Sequence, residues 1–136
     1  MNMNNICTTP EQSVSLIKAG VPINTADMYY RDGVYHIGKP DMNSMAVVCP
    51  CWSLKALIDT LPPFSGDDVY VWHLIKNANA YNDIKEPFYM CEVIRNADKK
   101  HGWWCEFGKD EFDAIVRLVC LLDAMGTGII KKGGAS

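Results

Sequence analysis

The chain has 136 residues, 49% hydrophobic and 21% charged, with a formal net charge of −3. That length suits a single domain whose core can stand without disulfides or metals. The acidic balance weighs against a general phosphate-backbone binder, which needs clustered Lys and Arg, and leaves room for a small basic patch.

The N-terminal MNMNNICTTPEQ has no basic region leading into an apolar run, so it does not read as a secretory signal. The first helix follows it. Thr9 suits the N-cap, Pro10 the first helical position, and Gln12 completes a capping box with Thr9. Gly20 fits the residue past the helix end, with Val21 folding back on Leu16 and Pro22 preventing continuation. Asp32-Gly33 then sits between two short apolar runs, the signature of a two-residue hairpin turn. The predicted strands are 28–31 and 34–37, and 38–46 reads as a loop.

Residues 49–63, CPCWSLKALIDTLPP, carry the clearest short helix. Leu54, Leu57, Ile58 and Leu61 recur at helical spacing, which predicts a helix over 53–61. Ser53 is the N-cap, Trp52 and Leu57 occupy the positions of a hydrophobic staple, and Pro62 and Pro63 end the helix. Three strands follow, at 69–75, 88–95 and 103–107, with a turn-rich stretch at 77–83 between the first two. The first is apolar on both faces, which suits a covered or central strand. Alternation of polarity pairs Glu92 with Glu106, Val93 with Cys105 and Cys91 with Phe107. A long helix starts at Asp110 and ends at Gly126, with an apolar surface running from Phe112 to Met125. Its apolar core, 114–122, is broken by Arg117 and is too short for a bilayer span of about 20 residues.

The resulting order, α-β-β-α-β-β-β-α, predicts an α+β fold: an antiparallel sheet of about five strands with three helices packed on it. Residues 1–126 form the single expected domain and 127–136 a flexible tail. The expected location is cytoplasmic, with no membrane segment.

Six cysteines stand at 7, 49, 51, 91, 105 and 120. Cys49 and Cys51 are the one pair close enough in sequence to suggest a metal. A structural zinc site needs four ligands, though, and His36, His73, His101, Cys91 and Cys105 do not stand at finger or ribbon spacing. Packed thiols are the preferred reading, and no cofactor is implied. A Glu92–Glu106 pair would raise one carboxyl pKa and could hold a divalent ion, but no third acid joins it. No catalytic residue is singled out: a G-x-S-x-G elbow is absent, and Gly126-Thr127-Gly128 lacks the P-loop spacing. Asp27, Tyr30, His36 and His73 are the polar groups that could line a pocket between the sheet and helix 53–61. Tyr70, Trp72, Tyr89, Trp103 and Trp104 are sheet aromatics. Such rings can stack bases, but without interleaved basic residues they point to a protein interface, with Tyr70, Trp72 and Trp104 as its candidates.

Thr25 to Tyr30, Pro50 to Ile58 followed by Leu61-Pro62, and the acid-capped helix from Asp110 resemble a group of small proteins of gut-dwelling anaerobic bacteria, their phages and other mobile elements. In that group a small residue such as alanine more often stands at the position of Cys51. The resemblance implies an accessory or phage-related protein and brings no activity or catalytic residues. The expected function is a non-enzymatic interaction module that binds a protein, itself included. A small ligand-binding domain or enzyme, and a single-stranded nucleic-acid binder using the sheet aromatics, are the alternatives.

Overall fold

A computed structural model describes residues 6–41, 48–77 and 88–130. Among the described residues the fold is α+β, with three α-helices and two antiparallel sheets of three and four strands. The chain divides into two compact units, one up to Thr60 and one spanning Leu61–Ile130. Among the described residues, seven strands in two sheets replace the expected five in one.

In the first unit, α1 (Pro10–Lys18) forms where its caps predict. The Thr9 hydroxyl accepts from the Gln12 N–H at 3.1 Å, and the Gln12 side chain accepts from the Thr9 N–H at 3.0 Å. At the far end the Val21 N–H reaches Leu16 C=O and the Gly20 N–H reaches Ile17 C=O, both at 3.0 Å, so the last carbonyls are satisfied. After a single 3₁₀ turn at Ile23–Thr25, β1 (Met28–Arg31) and β2 (Val34–Ile37) form the expected hairpin about Asp32-Gly33. The third strand, β3 (Cys49–Cys51), pairs antiparallel with the other side of β1, Met28 opposite Cys51 and Tyr30 opposite Cys49. Sequence patterning missed β3 because it has three residues with a proline in the middle. The proline is tolerated because β3 is an edge strand. Helix α2 (Leu54–Asp59) follows at once, its Ser53 hydroxyl accepting from the Ala56 N–H at 3.2 Å.

In the second unit, β4 (Phe64–Ser65), β5 (Asp68–Asn77), β6 (Phe88–Arg95) and β7 (Trp103–Gly108) lie in sequence order. Helix α3 (Glu111–Ala124) packs on β6 and β7. The Asp110 side chain caps it by accepting from the Asp113 N–H at 2.8 Å, and the bonds from Gly126 N–H to Asp123 C=O and Thr127 N–H to Leu122 C=O close it. Within the expected tail, Ile129 and Ile130 are buried; 131–136 lie outside the described residues, as do 42–47 of the expected loop and 78–87, which include most of the turn-rich stretch. β5 is not central along its length, since β4 covers only Asp68 and Val69 of it. Among the described residues no helix is long and apolar enough to cross a membrane.

The β6–β7 register differs from expectation by one residue. Glu92 pairs with Cys105, Cys91 with Glu106 and Val93 with Trp104. A one-residue slip moves every side chain of a strand to the other face. Glu92 and Glu106 therefore lie on opposite faces, and the like-charge pair does not form. Gly108 explains the choice. A Cβ there would sit 2.3 Å from the Ala114 backbone nitrogen, so β7 runs into α3 with this glycine on the helix side. Glu106 and Trp104, two and four residues back, must then share that side with the buried Val93 and Cys91.

Candidate interaction face and thiol cluster

The two faces of the four-stranded sheet differ in what covers them. One face carries Tyr70, Trp72, Leu74, Tyr89, Cys91, Val93, Arg95, Trp104 and Glu106, and α3 docks on it. The Tyr89 hydroxyl meets Glu111 at the start of α3, and that hydrogen bond pushes the phenol pKa up. Three residues expected at an interface are therefore on the helix-bearing face. Tyr70 is buried, Trp72 and Trp104 are half-buried, and the Trp72 indole N–H donates to Pro62 C=O at 2.9 Å. The Arg95 guanidinium lies over both Tyr70 and Trp104, 5.8 and 5.4 Å from the ring centres.

The opposite face carries Val71, His73, Ile75, Phe88, Met90, Glu92, Ile94, Trp103, Cys105 and Phe107. Ile75, Trp103 and Phe107 are 41, 45 and 48% exposed. Phe88 packs against Phe107, with ring centres 5.8 Å apart, and Lys99 caps the Trp103 ring at 4.1 Å. In the middle lies one acid, Glu92, only 8% exposed. The Trp103 indole N–H donates to its Oε1 at 3.3 Å, and His73 Nδ1 stands 3.6 Å from its Oε2. Sequence reading singled out Glu92, His73 and Trp103 separately. Their meeting depends on the pairing of His73 with Glu92 and of Ile94 with Trp103, which no local signal reveals.

The other pocket candidates lie in the first unit. Asp27 lines an open groove of about 440 Å³ with Asn24, Thr25, Lys39, Lys55 and Asp59. Both of its oxygens are already engaged: Oδ1 accepts from the Ser53 N–H at 2.8 Å and Oδ2 from the Ser53 hydroxyl at 2.5 Å. Tyr30 instead packs on the Cys7–Met28–Cys51 cluster, and His36 stacks on Tyr29 at 4.9 Å. His73 belongs to the second unit.

The thiols of Cys49 and Cys51 gain a third neighbour that spacing could not reveal. Cys7, just before α1, packs with Met28 and Cys51 in a buried cluster. Trp52 holds this segment in place. Its C=O accepts from the Thr8 N–H at 2.9 Å, and its own N–H donates to Thr8 Oγ1 at 3.0 Å. The Thr8 hydroxyl also shares a 2.8 Å bond with buried Ser13, and the Trp52 indole N–H donates to Thr25 Oγ1 at 2.8 Å. Burial pushes the Cys7 and Cys49 thiols up and takes Cys51 to about 12. Such thiols are protonated and weakly nucleophilic at neutral pH. Among the described residues, no group of three His, Cys, Asp or Glu side chains is arranged to hold a metal ion.

No protein-family model, curated protein or solved structure matches this chain.

Proposed function

We propose that the protein is a non-enzymatic interaction module that binds a protein, in the first instance a second copy of itself, through the open face of its four-stranded sheet. The observation that carries this reading is the exposure of Ile75, Trp103 and Phe107 together on one face, beside the half-buried Val71, Met90 and Ile94. Contiguous apolar patches of this kind mark association surfaces, and aromatic residues are enriched there. Glu92 and His73 place a polar pair inside the apolar patch, which suits a surface that must fix orientation as well as bury area. Nucleic acid is disfavoured as partner, because Tyr70, Trp72 and Trp104 lie on the helix-bearing face and the net charge is −3. The resemblance to small proteins of bacteria, phages and mobile elements fits an accessory role and adds no catalytic group.

Light scattering across the micromolar range tests this. The wild-type mass should rise with concentration. Ile75→Lys and Phe107→Lys, both at exposed positions, should keep the protein folded and hold it at the monomer mass. A wild-type protein that stays strictly monomeric would sink the self-association reading.

A second reading, a small-ligand site, rests on the groove beside α2. Its lining of Lys39, Lys55, Asp27 and Asp59 offers both charges to a zwitterionic or polar ligand. Lys55 is already paired with Asp59 at 2.8 Å and Lys39 with Asn24 C=O at 2.6 Å, which leaves less binding capacity than the residue types suggest.

A further inference from the structure

Cys7 converges on Cys49 and Cys51, more than forty residues away in sequence, in the first unit, and the three differ in access. Cys7 is 2% exposed and Cys51 is fully buried, while Cys49 is half-exposed. Cys51 packs against Cys7 in the buried cluster, and its thiol donates to Cys49 C=O at 3.5 Å. The backbones at Cys7 and Cys51 are also tied together, because the residues that follow them, Thr8 and Trp52, share a 2.9 Å N–H to C=O bond. That proximity is what a disulfide requires, since its Cα atoms must approach within about 7 Å. Cys49 and Cys51 flank Pro50 on β3 and therefore point to the same side of the strand.

We propose that Cys7 and Cys51 form an oxidisable thiol pair, reached through Cys49 by a low-molecular-weight disulfide such as glutathione disulfide. The Cys49 thiolate attacks one sulfur of that disulfide. The S–S bond breaks and the first glutathione leaves as a thiolate, which takes up a proton. The Cys51 thiolate then attacks the Cys49 sulfur and displaces the second glutathione. The Cys7 thiolate attacks the Cys51 sulfur and returns Cys49 as a free thiol. In sum, two protein thiols are oxidised to one disulfide, one glutathione disulfide is reduced to two glutathione thiols, and two protons pass from protein to glutathione. Each attacking thiol must first ionise, and burial raises the pKa of all three, so the exchange is slow at neutral pH and quickens as pH rises. The reaction needs no assembly and stands apart from the sheet face.

The test equilibrates the native full-length protein with mixtures of reduced and oxidised glutathione at mildly alkaline pH. Acid quenching, alkylation in denaturant, intact mass and peptide mapping follow. Wild-type protein should lose two of its six free thiols and yield a linked Cys7–Cys51 peptide. Cys49→Ser should slow formation about tenfold and reach the same product. Six free thiols across the whole redox range, or a disulfide mapped to any other pair, would overturn the proposal. So would Cys49→Ser reacting at the wild-type rate. The wild-type map needs no variant to fold, so the result stands even if Cys49→Ser does not.

Discussion

Both carboxylate oxygens of Asp27 are held by Ser53, and Ser53 is also the N-cap of α2. One acid thus fixes the start of β1 to the start of a six-residue helix, too short to persist without tertiary support. Removing Asp27 leaves the Ser53 N–H without its partner as well as weakening the cap. Asp27→Ala should therefore destabilise the protein by about 2 kcal/mol, read as a lower urea midpoint at unchanged slope. Ser53→Ala should cost part of the same energy, and the double variant less than the sum of the two, because the bonds are shared. An effect of Asp27→Ala within about 0.5 kcal/mol of zero would show that solvent replaces these bonds freely. Thr8 acts similarly at the other end of the first unit. Its hydroxyl meets both the Trp52 N–H and the Ser13 hydroxyl in a fully buried setting.

At the scale of elements, the junction of β7 and α3 is the tightest point of the second unit. Ala at position 108 would place its Cβ 2.3 Å from one backbone atom and 2.7 Å from another, neither of which can rotate away. Gly108→Ala should cost on the order of 1–3 kcal/mol in thermal or urea unfolding, through displacement of α3 from the sheet. A neutral Gly108→Ala would mean that α3 shifts without loss of packing. Local chemistry made the three helices and the Asp-Gly hairpin legible in the sequence. Thr9, Ser53 and Asp110 cap as their positions predict, and Gly20 and Gly126 stop their helices with the expected backbone bonds. What the sequence did not disclose depends on partners distant along the chain. β3 is too short to show a period, and β4, with two residues, is shorter still. The β6–β7 register was misread because alternation of polarity grouped the two glutamates on one wet face. The close approach of α3 to Gly108 places Glu106 on the helix side instead. Of the candidate sites, Cys49 and Cys51 were visible as a pair, while Cys7 joins them only through the Thr8–Trp52 bonds. The Glu92–His73–Trp103 group likewise required the correct register.

At the scale of the whole molecule, buried thiols set a pH limit on stability. Burial raises Cys51 and Cys91 from the ordinary 9.0 to about 12. Below 9.0 both the folded and unfolded chains keep these protons, so their contribution is fully present. Above 9.0 the unfolded chain releases them while the folded chain holds them. The unfolded state then binds fewer protons than the native state, so stability falls as pH rises, and the contribution is gone once pH passes about 12. The urea midpoint should therefore stay level from neutral pH to near 9 and decline beyond it. Tyrosine and lysine ionisation also act in that range, so the slope of the wild type alone does not identify the source. Cys91→Ala separates them. It lowers stability at neutral pH by leaving a small cavity under α3, yet its decline above pH 9 should be shallower than the wild type's, because one ionising group is gone from the unfolded chain. Cys51→Ala makes the same comparison for the first unit. Parallel alkaline slopes in wild type and both variants would show that neither thiol stays protonated in the folded protein, and that their surroundings admit water more freely than the burial of Cys51 and Cys91 implies.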